Sequence, residues 1–172
     1  MASRTLGELF DTFQQEAFRL ETLDDYSKSG NVDAYQAFLA GKPQPTGYNA
    51  DWVAELRSHT SEGKRVYRVH VLSRPLTPYL RFELGWGYQK NVTGGEEFFI
   101  LDTTGKSNPL QGAPDFWLFD DVTPAVMSYA PDGSFVGANV LPAEQAAEFR
   151  AYRDKALAHA VPFTEWWAKY GE

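Results

Sequence analysis

Cysteine is absent from the 172 residues, which excludes disulfides, thiolate metal sites and a cysteine nucleophile. Histidine is scarce. His59, His70 and His159 stand far apart, in neither an HxH nor an HExxH spacing, and read as surface or core histidines rather than metal ligands. No phosphate cradle of the GxGxxG or P-loop kind occurs, and no GxSxG elbow; Gly85-Trp86-Gly87 is only a turn signal. Long apolar runs are missing, and the N-terminal MASRTLGELF lacks the apolar stretch of a secretory leader, so the expectation is a soluble cytoplasmic protein without a membrane association. Positive charge is in deficit. Sixteen Lys and Arg against 23 Asp and Glu give a formal net charge of -7, which argues against direct DNA binding but leaves room for a protein partner.

What the chain does have is apolar and aromatic mass, 43% and 15% of the residues, enough for a core without staples. The expectation is one domain over residues 1–172, with a helical N-terminal part (1–63) and a mixed sheet with a C-terminal helix (64–172). Thr5 to Glu8 fits a capping box, and Leu6, Leu9, Phe10, Phe13, Ala17 and Leu20 follow helical spacing. Asn31 and Asn49 or Asp51 mark two further helix starts, ended by Gly41 and Gly63. Gly85 to Gly95 reads as a loose polar loop, Glu97 to Asp102 and Asp115 to Phe119 as strands. Pro131-Asp132-Gly133 makes a hairpin, and Ala143 to Ala160 a helix with Phe149, Tyr152 and Ala156 on its buried stripe.

The organising stretch is Lys64 to Leu84, KRVYRVHVLSRPLTPYLRFEL. It opens as a strand with Tyr67, Val69 and Val71 on one face and Val66, Arg68, His70 and Leu72 on the other, with β-branched residues on both, which suits a strand covered on both sides. Arg74-Pro75 breaks it, and Thr77-Pro78 starts a helix. Arg68, His70, Arg74, Thr77, Tyr79, Arg81 and Glu83 thereby collect around one strand-to-helix turn, the place where open α/β sheets bind anions and small ligands. An anion is expected at the amides of Thr77 to Tyr79, with Arg74 and Arg81 over it. Asp115, Asp120 and Asp121 flank the short strand that holds Trp117. Either they form an acid–base pair, or one caps a turn while another pairs with Arg68 or Arg81. Ser73 near His70 allows a Ser-His relay on paper only.

The string GKRVYRVHVLSRPLTPYLRFE, with Gly95-Glu96, DFWLFDD, AVPFTEWW and an early FLAGKP, resembles an actinobacterial family, domain of unknown function 6879, over nearly the whole chain. Members share the Arg–Val alternation and the residues that stand here as Pro75, Tyr79, Phe82 and Glu83. The resemblance implies a regulatory setting, with genes beside helix-turn-helix regulators and small partner proteins. The order of elements is also similar to half of a phospholipase D-like domain. Its HxK signature is missing, since Ser61, Leu72 and Val161 stand two residues after the three histidines. The expected fold is α/β or α+β, a mixed sheet with flanking helices. The expected function is a non-enzymatic ligand- or protein-binding domain of a regulatory system, needing no cofactor and working with a helix-turn-helix partner or a small anionic ligand. The alternatives are a hydrolase using Asp120 or Glu83 with Arg68 or Arg81, and a toxin–antitoxin component.

Overall fold

A computed structural model describes residues 4–171. The reading of the first three residues as free of a leader lies outside it. The fold is α+β, built on one seven-stranded mixed sheet in the order β6-β5-β4-β1-β2-β3-β7. The strands are β1 (Glu16–Glu21), β2 (Arg65–Leu72), β3 (Glu97–Asp102), β4 (Phe116–Phe119), β5 (Thr123–Tyr129), β6 (Phe135–Val140) and β7 (Val161–Pro162). β1, β2 and β3 are parallel, and β4, β5, β6 and β7 join antiparallel to their neighbours. Helices α2 (Val32–Leu39) and α3 (Ala50–Ser61) link β1 to β2, and α4 (Pro78–Phe82) with α5 (Gln89–Asn91) lies between β2 and β3. Among the described residues no helix is long and apolar enough to cross a membrane.

The N-terminal segment departs from the helical expectation. Its first helix, α1, covers only Leu6–Thr12, opened by the capping box of Thr5 and Glu8, and the chain is extended from Phe13. The carboxylate of Asp120 explains the stop. It accepts the backbone N–H groups of Gln14, Gln15 and Glu16 at 2.9, 2.7 and 3.0 Å, and so launches β1. Ala17 and Leu20 satisfy helical spacing, but EAFRLE also alternates, and pairing with both β2 and β4 decides for the strand.

Each central strand has two unlike faces. Phe18 and Leu20 of β1, Tyr67, Val69 and Val71 of β2, and Phe116 and Leu118 of β4 form one core with Phe149 and Ala156 of α6 (Ala146–His159). Of the stripe expected on that helix, Phe149 and Ala156 are buried and Tyr152 is half-buried. On the opposite face, Ala17, Val66, Trp117 and Phe119 pack under α1 and α3, while Leu72, Phe98 and Ile100 pack under Leu80, Leu84 and α7 (Phe163–Tyr170). Between these two apolar patches lie the charged residues.

The expected loop at Gly85 to Gly95 is helical instead. α4 runs into a π-helix over Glu83–Tyr88, then α5, then a 3-10 turn at Val92–Gly94. Its glycines serve contact. A Cβ on Gly94 would lie 2.9 Å from the Val53 carbonyl oxygen of α3.

Candidate functional site

Strand order turns back at β1. The chain proceeds from β1 to β2 to β3 on one side, then returns to lay β4 on the other side of β1. Such a reversal leaves a crevice beyond the carboxyl end of the strand. Here a pocket of about 240 Å³ opens there, lined by Arg19, Glu21, Tyr26, Tyr79, Glu83 and Tyr129 among others.

β1 supplies Arg19 and Glu21, two residues apart and therefore on one face, both buried. In register, Arg19 stands beside Arg68 and Trp117, and Glu21 beside His70. Two like-charged guanidinium groups on adjacent strands need carboxylates around them. Arg68 donates through Nε to Glu96 at 2.8 Å and through Nη1 to Glu21 at 3.0 Å. Glu96 is held in turn by the indole N–H of Trp52 at 3.1 Å. The rings of Tyr88, Phe98 and Trp117 surround the Arg68 guanidinium at 5.3–5.7 Å. Arg68 is thus buried and ion-paired, but with Glu21 and Glu96 rather than with Glu83, Asp115, Asp120 or Asp121.

Arg19 is differently served. Its Nη2 donates to Asp115 at 3.2 Å and to the Tyr129 hydroxyl at 2.9 Å, while Nη1 is buried with no partner. Asp115 is saturated: it also accepts from the Tyr26 hydroxyl, the Thr22 hydroxyl and the Thr22 amide.

His70 sits behind the pocket, wholly buried. Its Nε2 donates to the Leu23 carbonyl oxygen at 2.9 Å. At Nδ1 the neighbours are the Tyr88 hydroxyl at 3.0 Å and Glu83 Oε1 at 3.1 Å. The Tyr88 proton is committed to Glu21, so its oxygen accepts from His70, and Nδ1 carries a proton. His70 is therefore an imidazolium. Burial alone would lower its pKa, but Glu83 and Glu21 outweigh burial and raise it to about 9. Burial likewise works to raise Glu21, and the charges of Arg68, His70 and Arg19 overcome it, holding the carboxyl at about 2. The π-helix makes this convergence possible. Residues five apart point about 140° away from each other on an α-helix, whereas the wider turn brings Glu83 and Tyr88 to the same ring nitrogen.

Glu21, His70 and Glu83 also place three ligand atoms within 4.8 Å of one another, a geometry that could hold a metal ion. A cation there would have to displace the Nδ1 proton and share Glu21 with Arg68. Sequence spacing did not reveal the group because its members come from three elements.

Of the residues singled out in the sequence, Tyr79 and Glu83 line the pocket, and Arg68 and His70 stand behind it. Trp117 belongs to the wall around Arg68. The others lie elsewhere. Arg74 pairs with Asp102 at 2.7 Å, stacks 3.9 Å over Tyr170, and with the exposed Arg81 lines a separate open groove of about 640 Å³. Burial would raise the Asp102 carboxyl, but hydrogen bonds from Thr104, Arg74 and Trp166 bring it down to about 2. Thr77 caps α4, accepting from the Leu80 amide and donating to the Asp24 carbonyl oxygen, and Pro78 has no N–H to offer to an anion there. Asp120 and Asp121 both have positive φ, 54° and 65°, and with Val122 form the three-residue hairpin loop between β4 and β5 at the far end of β1. Asp121 pairs there with Arg153. Neither is an acid–base candidate for this pocket. Missed by the sequence reading were Arg19, Glu21, Tyr26, Glu96 and Tyr129; the alternation of Arg19 and Glu21 in EAFRLE was the available signal.

The family described as Domain of unknown function (DUF6879) matches residues 4–168. No curated protein matches the chain.

Proposed function

The chain belongs to the DUF6879 family, and from its site we propose that it is a non-enzymatic binding domain whose pocket at the end of β1 takes a small polar molecule. One observation carries this reading: Arg19 lines the pocket, and its Nη1 is buried with no acceptor. A buried charged donor left unmatched is costly, and matching it from the pocket removes that cost. The hydroxyl and imidazole groups that a hydrolytic relay would need are committed elsewhere. Ser29, on the pocket rim, donates to the Gly133 carbonyl oxygen, and both nitrogens of His70 carry engaged protons. Action beside a helix-turn-helix partner is part of the same proposal and is supported by the family resemblance alone.

Thermal-shift and calorimetric titration of small carboxylates and amino acids against wild type and Arg19→Lys test the reading. Lys keeps a positive charge toward Asp115 but loses the second guanidinium nitrogen. Stabilisation of wild type by at least one compound, lost in a folded Arg19→Lys, is the expected result; equal responses from both proteins would remove Arg19 from the site.

A further inference from the structure

We infer that the molecule this pocket takes is a zwitterion, carrying a carboxylate and an ammonium group; this rests on the pocket reading and adds the ligand's charges to it. Two residues of opposite sign on the pocket wall each keep one buried polar atom without a hydrogen bond. Arg19 spends Nη2 on Asp115 and Tyr129 and leaves Nη1 free. The Tyr129 hydroxyl accepts from Arg19, and its own proton has no acceptor among the described residues. A carboxylate at Arg19 therefore meets two donors, one of them charged.

Glu83 supplies the other sign. Its Oε1 is buried, 3.1 Å from His70 Nδ1 as an ion pair, and accepts no hydrogen bond. It can accept from an ammonium group. Glu21, on the same wall, adds a second negative charge.

The balance of ionised groups favours this occupant over simpler ones. With the ion-pair partners behind the wall counted in, Arg19, Arg68 and His70 stand against Glu21, Glu83, Glu96 and Asp115, three positive charges against four negative ones. A plain anion would satisfy Arg19 and add to the excess negative charge. A plain amine would satisfy Glu83 and leave the Arg19 donor unmatched against a second cation. A molecule with both groups meets both atoms and leaves the net charge unchanged. At about 240 Å³ the space suits a compound of amino-acid size, smaller than the roughly 300–1,000 Å³ of drug-sized pockets. Tyr26 and Tyr79 offer it ring surface, and their hydroxyls stay protonated because burial and neighbouring carboxylates push both pKa values up.

The experiment is calorimetric titration of the full chain with the α-amino acids and the straight-chain ω-amino acids, each compared with the same molecule lacking its amine or lacking its carboxylate. At least one zwitterion should bind about tenfold or more tighter than either half-molecule. Glu83→Gln should reduce that advantage over the carboxylate to within about threefold while carboxylate binding persists; the wild-type comparison stands even if this variant does not fold. Carboxylates binding as tightly as their amino-bearing counterparts would overturn the zwitterion and leave the Arg19 pocket standing. Silence from every compound at about 10 mM would sink the pocket reading as well. Stabilisation by Zn²⁺ or Mn²⁺ alone, lost in His70→Gln and unaccompanied by any response to amino acids, would overturn both and assign Glu21, His70 and Glu83 to a cation.

Discussion

The two faces of the central sheet are built from the same strands and differ in almost every other respect. Under α6, Phe18, Leu20, Tyr67, Val69 and Phe116 interlock with Phe149 and Ala156, and burial of apolar area stabilises the fold directly. One residue along each strand, Arg19, Glu21 and His70 are buried nearly as deeply and Arg68 mostly so, all ionised. Such groups gain from their partners about what desolvation takes away, so they add little net stability. They do fix one another's positions. The face under α6 is apolar throughout, whereas the other is apolar only at its two ends and between them leaves an unmatched donor beside a pocket, a local violation of the kind that functional sites carry.

Four measurements would break or sharpen this contrast. Phe116→Ala should cost about 3–5 kcal/mol in urea unfolding, because its ring is fully buried and meets Phe149 edge-on with centroids 4.9 Å apart. Arg68→Met should cost nearly as much, about 3–5 kcal/mol, by stranding Glu21 and Glu96. The faces then part company: adding Glu21→Gln and Glu96→Gln to Arg68→Met should recover more than half of the loss, whereas no second change repairs Phe116→Ala. If the triple variant is no better than the single one, the charges are not a self-contained set.

The third measurement is a pH series. His70 rises from an ordinary 6.5 to about 9 in the folded protein, so its contribution is complete below pH 6.5 and disappears as pH climbs through 9. Wild type should lose about 2–3 kcal/mol over that window, and His70→Gln should be flatter there. Glu21 acts at the other end. Lowered from 4.5 to about 2, it contributes fully above pH 4.5 and fails as pH falls through 2. The smallest effect belongs to Arg81→Ala, an exposed residue whose loss should change stability by less than about 0.5 kcal/mol. It should also leave the ligand response at Arg19 intact; loss of that response would move the site into the larger groove beside Arg74.

The stretch from Lys64 to Leu84 was legible because its signals are local. β-branched alternation, a Pro break, and a hydroxyl before proline each act within a few residues, and they yield β2, the Thr77 cap and α4 as found. The turn at Pro131 to Gly133 and the stripe of α6 were legible for the same reason. β1 was not, since its residues satisfy a helical and a strand period together and the choice falls to Asp120, more than a hundred residues away. Asp120-Asp121 suggested chemistry, but their positive φ values show a pair selected by the turn. The glycines at 85–95 suggested a loose loop, whereas the helical turns need at least Gly94 to lie close against α3. By itself, then, the sequence determined which residues alternate, where helices start and where the chain must turn, because those depend on neighbours along the chain. Which charge meets which was decided by the tertiary structure. Register sets Arg19 beside Arg68 and Glu21 beside His70, and a π-turn delivers Glu83 and Tyr88 to one nitrogen. Those partners are 47 to 96 residues apart for the Arg68–Glu21 and Arg19–Asp115 pairs, and only the folded sheet brings them within reach of a hydrogen bond.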